Sequence, residues 1–375
     1  MTTLRLFAVY LGFWSAAMAA THGQSLQLHD PQFRAYLTSV NQAEESIVND
    51  DFAAASDHYI EAFHSKQQPF ATDLFNALLC ATHEQRYDVA EAHAHGLARL
   101  GCPLEVFANN PNLKGFVNST YYKPFLNGYD ADRMINERNV DHAVRGKVDS
   151  LFTIDQTMRL ADPEYSFLRD SIYREDMRIM RALLPLLNTD YPSEQRLGVR
   201  WGPQAPSWET EPLVIILLHN YNSYDTTGTD NPNGLRTAAE ATDVSDQLMK
   251  AVEQGSLHPE VFAYLHDRSG DFQKGIDFAQ EMGILVIEGR CYVGRPDVDA
   301  ALNARRAALG LCTKEQQRAK AVYKMRSNAM GFILNRGMSG NMTILEGLEW
   351  TTLPQETREG LIDLGPYEPP SESEH

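Results

Sequence analysis

The segment DFAAASDHYIEAF, Asp51–Phe63, contains the pattern that decides the fold of this chain. Its residues Phe52, Ala55, Tyr59 and Ala62 recur at intervals of three or four positions. Because an α-helix has about 3.6 residues per turn, this spacing places them on one helical face. We therefore predict an amphipathic helix that buries this face against a neighbouring element.

A second copy of the pattern follows in RYDVAEAHAHGLARL, Arg86–Leu100. Phe52 aligns with Tyr87 at a shift of 35 residues, and FATDLFNALLCAT supplies the helix between the two copies. A period of about 34 residues with small residues at the helix crossings resembles tetratricopeptide repeats. The resemblance implies a helical-hairpin domain over residues 25–135, closed by short helices in NNPNLKGFVNSTYYKPF. Such a domain is either a scaffold or a shallow groove that binds a peptide.

The chain changes character after this region. We predict a second, α-rich domain over residues 148–347, in which GILVIEGRCYVGR has the β-branched composition of a strand. The polar, proline-rich residues 364–375 are predicted to form a disordered tail. The expected fold class is mainly α, with tetratricopeptide-like hairpins followed by an α-rich domain that contains a small β element.

Four polar motifs follow one another in the second region: DQxxR, HN, AYLxDR and LNxRRxxLGL. In this order they resemble a domain that occurs in many secreted bacterial proteins and has no assigned activity. The likeness covers residues 148–315. It implies a domain boundary and an α-rich fold rather than a particular reaction.

The motifs supply the candidate site residues. His219 is the candidate general base, with Asp155 or Asp267 to orient its ring, because histidine changes protonation near neutral pH. The candidate ligand-binding residues, whose arginines would hold an anionic group, are Gln156, Arg159, Asn220, Tyr264, Arg268, Arg305 and Arg306. The same residue types also form internal ion-pair networks that only fix helix packing, so a structural cluster is the alternative.

The N-terminus has the pattern of a secretory signal peptide. MTTLRLFAVYLGFWSAAMAATHGQ contains one basic residue, Arg5, then an apolar run and small residues that place cleavage near Ala19 or Ala20. We predict a signal peptide over residues 1–20 and export to the periplasm or the medium. No other segment is long and apolar enough to predict a membrane span. The formal net charge of −17 disfavours nucleic acid as a partner.

No metal site and no cofactor are predicted. His93 and His95 are two positions apart, so on a helix they point to different faces. TDNPNGLRTAAE, residues 229–240, matches a calcium loop in part, but Thr229 replaces the first aspartate. The sequence also lacks HExxH, GxSxG, GxGxxG and the P-loop.

The four cysteines, Cys80, Cys102, Cys291 and Cys312, allow two disulfides with three connectivities. If His83–Arg86 is a hairpin turn, Cys80 and Cys102 are offset by roughly 15 Å along the helices, too far for a bridge. Small buried thiols are the alternative for all four residues.

Three functions remain open. The first is an exported interaction or ligand-binding protein whose partner is a protein, a peptide or a small polar ligand. The second is a hydrolase-like enzyme that uses His219, and the third is a structural envelope protein without a pocket. The enzyme requires a histidine that solvent reaches and that is not bonded at both ring nitrogens. The structural protein requires the polar residues to be paired and sealed from water.

Overall fold

The structure is a computed structural model that describes residues 26–66, 68–163, 168–207, 211–220, 244–270, 278–280, 284–294, 300–324, 330–334, 336, 342–344 and 349–367. Within these residues helices dominate, and the extended strands form one small sheet. The predicted fold class, mainly α with a small β element, is confirmed. The predicted signal peptide and the partial calcium loop lie outside the described residues.

Two helical hairpins form the N-terminal part. The helix α1 (Pro31–Val48) packs against α2 (Phe52–Ser65), and α3 (Ala71–His83) packs against α4 (Tyr87–Arg99). Asp51 begins α2 by accepting a hydrogen bond from Ala54 N at 3.0 Å. The helix expected from DFAAASDHYIEAF is therefore present, and its predicted face is buried.

The turns of the two hairpins share one backbone feature. Asp50 has a φ of 60° and Gln85 has a φ of 57°, and the two residues are separated by the same 35 positions as the helices. A non-glycine residue in the left-handed region is uncommon. The repeated turn supports the helical periodicity, while the relation to tetratricopeptide repeats stays a prediction.

Shorter helices follow the hairpins. They are α5 (Leu104–Asn109), a 3-10 turn (Pro111–Leu113), α6 (Lys114–Val117) and α7 (Tyr122–Asn139). The last of these packs along α4. Short helices are thus present in the segment where the sequence predicts closing helices.

Three helices then assemble around the candidate site. They are α8 (His142–Ala161), α9 (Arg169–Thr189) and α11 (Pro212–Asn220), which pack against one another. A single helical turn, α10 (Glu194–Leu197), precedes α11, and α12 (Ser245–Glu253) and α13 (Pro259–Gly270) follow it. α13 packs against both α11 and α12.

The sheet contains four strands in the order β3-β1-β2-β4. They are β1 (Ile284–Ile287), β2 (Arg290–Gly294), β3 (Met342–Ile344) and β4 (Leu361–Pro366). The remaining elements are the helices α14 (Ala300–Ala308), α15 (Lys314–Lys324) and α16 (Gln355–Glu359) and a 3-10 turn (Trp350–Thr352).

The structure changes two sequence expectations in the sheet. GILVIEGRCYVGR forms a hairpin of two strands rather than one strand, because Glu288 and Gly289 have φ of 50° and 70° and make a two-residue turn. The disordered tail was predicted to start at residue 364, and this boundary is too early. Residues 364–366 belong to β4, which pairs with β2. A polar composition did not prevent main-chain pairing with a neighbouring strand.

The two predicted domains share a hydrophobic core. One cluster contains Tyr59 and Phe107 from the first domain together with Leu217 and Phe262 from the second. Asn76 adds a polar link, because its side chain exchanges two hydrogen bonds of 2.8 and 2.9 Å with the backbone of Ile333. The N-terminal helices are thus packed on the region that carries the candidate site.

Cys80, Cys102, Cys291 and Cys312 are all free and buried. Burial raises the pKa of the Cys80 and Cys102 thiols well above the ordinary value. In the part of the chain that the structure describes, every helix is too short or too polar to cross a membrane.

Candidate functional site

Asp155 and His219 form a hydrogen-bonded pair between α8 and α11. The distance from Nδ1 of His219 to Oδ2 of Asp155 is 2.7 Å. The side chain of Asp155 is completely buried, whereas 26% of the His219 side chain is exposed. The two residues are 64 positions apart, so only the packing of α11 on α8 brings them together.

Arg159 and Gln156 hold Asp155 in place. Nη1 of Arg159 donates to Oδ1 of Asp155 at 2.9 Å, and the amide of Gln156 donates to Oδ2 at 2.7 Å. Arg159 also donates from Nη2 to both carboxylate oxygens of Asp176 on α9, at 2.8 and 2.9 Å. Charge-assisted bonds of this kind fix both position and orientation. The Arg159 guanidinium is thereby committed to two protein carboxylates rather than to a ligand.

The pairing determines which nitrogen of His219 carries a proton. A carboxylate only accepts hydrogen bonds, so Nδ1 of the neutral ring is the protonated nitrogen and Nε2 carries the lone pair. Nε2 has no hydrogen-bond partner among the described residues. Among the described residues the ring is therefore bonded at one nitrogen only, and its side chain is partly exposed.

A second Asp–His pair lies in the N-terminal half. Nδ1 of His95 on α4 bonds to Asp132 on α7, and Nε of Arg99 donates to the same carboxylate at 2.8 Å. Nε2 of His95 faces Oε1 of Glu91 at 3.9 Å. The sequence pattern did not predict this pair.

Asp267, the third predicted catalytic residue, is buried and organises the backbone. Its two oxygens accept hydrogen bonds from Phe278 N at 3.0 Å and from Gln280 N at 2.7 Å. The carboxylate thus anchors the segment that precedes the sheet. Of the two aspartates predicted to orient His219, Asp155 is the one that contacts its ring.

Arg306 is fully buried and stabilises the same segment. Its guanidinium donates to Cys312 O at 2.8 Å, to Phe278 O at 2.6 Å and to Oε1 of Gln280 at 3.2 Å. Lys314 lies next to this group, and burial lowers its pKa to about 7. The structure therefore places Asp267 and Arg306 in one network and Asp155, Arg159 and His219 in another.

The other predicted ligand-binding residues are placed as follows. Tyr264 is buried in α13, and Arg305 is half-buried in α14. Asn220 is the last residue of α11, and Arg268 lies near the end of α13. The structure describes the backbone of these two residues but not their side chains.

A buried ion network was missed in the sequence. Lys320 pairs with Glu44, and Arg336 pairs with Asp73, Glu44 and Glu260. All five side chains are at most 4% exposed, so three carboxylates and two cations are enclosed together. Burial raises the pKa of Glu44 to about 7.

Helical spacing is the signal that could have revealed these buried acids. Glu44 shares the spacing of Val40, Ala43 and Ile47, which places it on the buried stripe of α1. Asp176 likewise lies in register with the buried residues of α9, which are Ile172, Ile179, Met180, Leu183 and Leu187. An acidic residue within an apolar stripe predicts a buried partner.

Among the described residues, no group of three or more His, Cys, Asp or Glu side chains is arranged to hold a metal ion. Comparison with protein-family models, with curated proteins and with solved structures finds no match for this chain. The resemblance to the secreted bacterial domain therefore stays a prediction.

Proposed function

We propose that the protein is a hydrolase-like enzyme in which His219 acts as general base and Asp155 orients it. One observation carries the proposal: the ring is bonded to a buried carboxylate at Nδ1, while Nε2 has no described partner and the side chain is partly exposed. This arrangement is the one expected of an acid–base histidine and supports the proposal.

The steps follow from the ring chemistry. Nε2 accepts a proton from a water molecule, which then attacks the substrate, and the protonated ring later donates that proton to the leaving group. Asp155 keeps the ring in the productive tautomer and stabilises the imidazolium that forms, as the carboxylate of a catalytic triad does. Arg159, Gln156 and Asp176 act as positioning residues, because they contact the carboxylate and its partner rather than the substrate.

The test uses chromogenic substrates. The protein would be assayed on p-nitrophenyl acetate, p-nitrophenyl phosphate, bis(p-nitrophenyl) phosphate and a set of p-nitrophenyl glycosides. At least one should be hydrolysed, and His219→Ala should reduce kcat by about 10²–10⁴-fold, the range of general acid–base catalysis. The matched control is His95→Ala, which removes the other partly exposed histidine of an Asp–His pair. Equal rates in His219→Ala and the unmodified protein, or no hydrolysis of any substrate, would contradict the proposal.

We also propose export. The signal-peptide pattern of residues 1–20 supports it. N-terminal sequencing of protein from the extracytoplasmic fraction of an expressing bacterium should find a chain that begins at Ala20 or Thr21. A chain that keeps Met1 would overturn this proposal without affecting the role of His219.

A further inference from the structure

A cavity of about 260 Å³ lies away from His219, between three chain segments. The segment after α2, the start of α10 and the turn after α12 form its walls. We call it the Lys66 cavity and define it by Lys66, Gln68, Phe70, Glu194, Gln254 and Ser256. Its volume is close to the lower end of the ~300–1,000 Å³ range of ligand sites, which limits a ligand to about the size of one sugar.

Lys66 is the cation of this cavity. Its Nζ donates to Gly255 O at 2.9 Å and lies 3.5 Å from the centroid of the Phe70 ring. Among the described residues, no carboxylate lies within ion-pair distance of this ammonium group. The Phe33 and Tyr36 rings also face Nζ, at 4.8 and 5.2 Å to their centroids. Gly255 O takes one of the three ammonium donors, and the rings contribute cation–π contacts rather than conventional acceptors.

The charge of Lys66 is poorly solvated. Burial lowers its pKa to about 8, although nearby Glu194 acts in the opposite direction. Lys66 is half-buried, and an anion that enters the cavity would stabilise its partly desolvated ammonium group. Among the described lining residues, Glu194 supplies the carboxylate with the largest charge effect on Lys66, but the two groups do not form an ion pair.

The backbone is shaped to hold Lys66. Gly255 has a φ of +66°, and a Cβ atom at this position would lie 3.3 Å from Nζ of Lys66. Glycine therefore permits both the left-handed turn and the close approach of the ammonium to the carbonyl.

The other walls supply neutral hydrogen-bonding groups. Three amides and two hydroxyls line the cavity, from Gln68, Gln195, Gln254, Ser193 and Ser256. Such groups suit ligand hydroxyls, which both donate and accept. Glu194 accepts a hydrogen bond from Ala71 N at 2.8 Å, and burial raises its pKa, so it opposes an anion less than an exposed glutamate would.

We propose that the Lys66 cavity binds a small hydroxylated carboxylate of the sugar-acid class, whose carboxylate pairs with Lys66 and whose hydroxyls bond to the surrounding amides and serines. The site is separate from the Asp155–His219 pair and does not depend on the proposed hydrolysis. Its occupant is one monosaccharide-sized acid.

Calorimetric titration tests the site with glucuronate, galacturonate and gluconate, each against the uncharged glucose or galactose. At least one acid should bind, and the uncharged sugars should bind at least tenfold more weakly, because a charge-assisted bond is lost. Lys66→Met keeps the aliphatic stem and should raise the Kd of that acid at least tenfold. Lys114→Met, at an exposed lysine, should leave it unchanged. His219→Ala should also bind normally, which separates this proposal from the enzymatic one.

A second measurement avoids any folding defect of the variant. Lysines of the unmodified protein would be labelled with a limiting amount of acetic anhydride at pH 8, with and without glucuronate, galacturonate or gluconate. At least one acid should protect Lys66 several-fold while Lys114 reacts equally in both samples. The proposal is overturned if none of the acids binds, if glucose binds as well as the acids, or if Lys66 is not protected.

Discussion

His219 and His95 have the same immediate chemistry and different surroundings. Each ring bonds through Nδ1 to a buried aspartate that also binds an arginine. Their exposed fractions are nearly equal, 26% for His219 and 23% for His95. Neither the pair itself nor its exposure therefore distinguishes the two histidines.

The second ring nitrogen makes the difference. Nε2 of His95 faces Glu91, and its Cε1 would lie 2.8 Å from a Cβ atom on Gly128, so the backbone of α7 covers that edge of the ring. The ring also packs edge-on against Phe125 at 5.3 Å. No comparable group bonds to Nε2 of His219 in the described part of the chain. An Asp–His pair becomes a candidate acid–base site only where the second nitrogen is open.

The largest stability difference is expected between the two aspartates. Asp155→Asn should lower the free energy of unfolding by about 3 kcal/mol, because it removes the charge of a fully buried carboxylate that bonds to Arg159 and His219, while Asp176 still pairs with Arg159. Asp132→Asn should lower it by about 1 kcal/mol, because the Arg99 side chain is 53% exposed and remains solvated. Urea unfolding of both variants measures the difference. Equal losses of unfolding free energy in the two variants would mean that the deeper burial of the Asp155–Arg159 pair does not affect stability.

The stability of the protein is also expected to depend on pH, because Glu44 titrates near neutral pH. Burial raises its folded pKa to about 7 from an ordinary value of 4.5. A raised acid pKa contributes stability that is present below the unfolded pKa and is lost as pH rises through the folded pKa. The contribution of Glu44 to the unfolding free energy should therefore fall between pH 5 and pH 8.

Glu44→Gln should make this pH dependence less steep, although Glu211, whose pKa burial also raises to about 7, still contributes to it. Glu45→Gln at the exposed neighbouring position should leave the slope unchanged. Urea unfolding at several pH values between 5 and 8 measures both slopes. If the slope is the same in Glu44→Gln and in the unmodified protein, Glu44 is not the titrating group.

A smaller difference is expected between the histidines themselves. His95→Ala should cost about 2 kcal/mol, because the ring packs against Phe125 and Gly128 of α7 as well as bonding to Asp132. His219→Ala should cost about 1 kcal/mol, because Asp155 keeps its bonds to Arg159 and Gln156. Thermal unfolding compares the two. If His219→Ala loses more stability than His95→Ala, the role of His219 is structural.

The sequence predicted the regular elements better than the contacts between them. The spacing of Phe52, Ala55 and Tyr59 determines which face of α2 is buried, because that pattern is local. The turn at Glu288 and Gly289 was missed because the apolar residues before and after it made the segment resemble one continuous strand. Helical periodicity does not reveal how distant segments pack.

The candidate site shows the same limit. Asp155 and Arg159 are four positions apart on one helix, so their pairing follows from spacing alone. The contact with His219 depends on helix packing, and the sequence suggested it only through the order of motifs. Asp267 has the same residue type as Asp155 but bonds to backbone amides, and nothing in its sequence neighbourhood distinguishes the two roles.

Competitive modification by diethyl pyrocarbonate tests whether Nε2 of His219 is accessible, because the reagent attacks an accessible unprotonated imidazole nitrogen. Both histidines would be followed in one sample by mass spectrometry, with the exposed His142 as an internal reference. His219 should react several times faster than His95, despite their similar exposure. Reaction of His95 at an equal or greater rate would show that Nε2 of His219 is not open, and the proposed acid–base role would be lost.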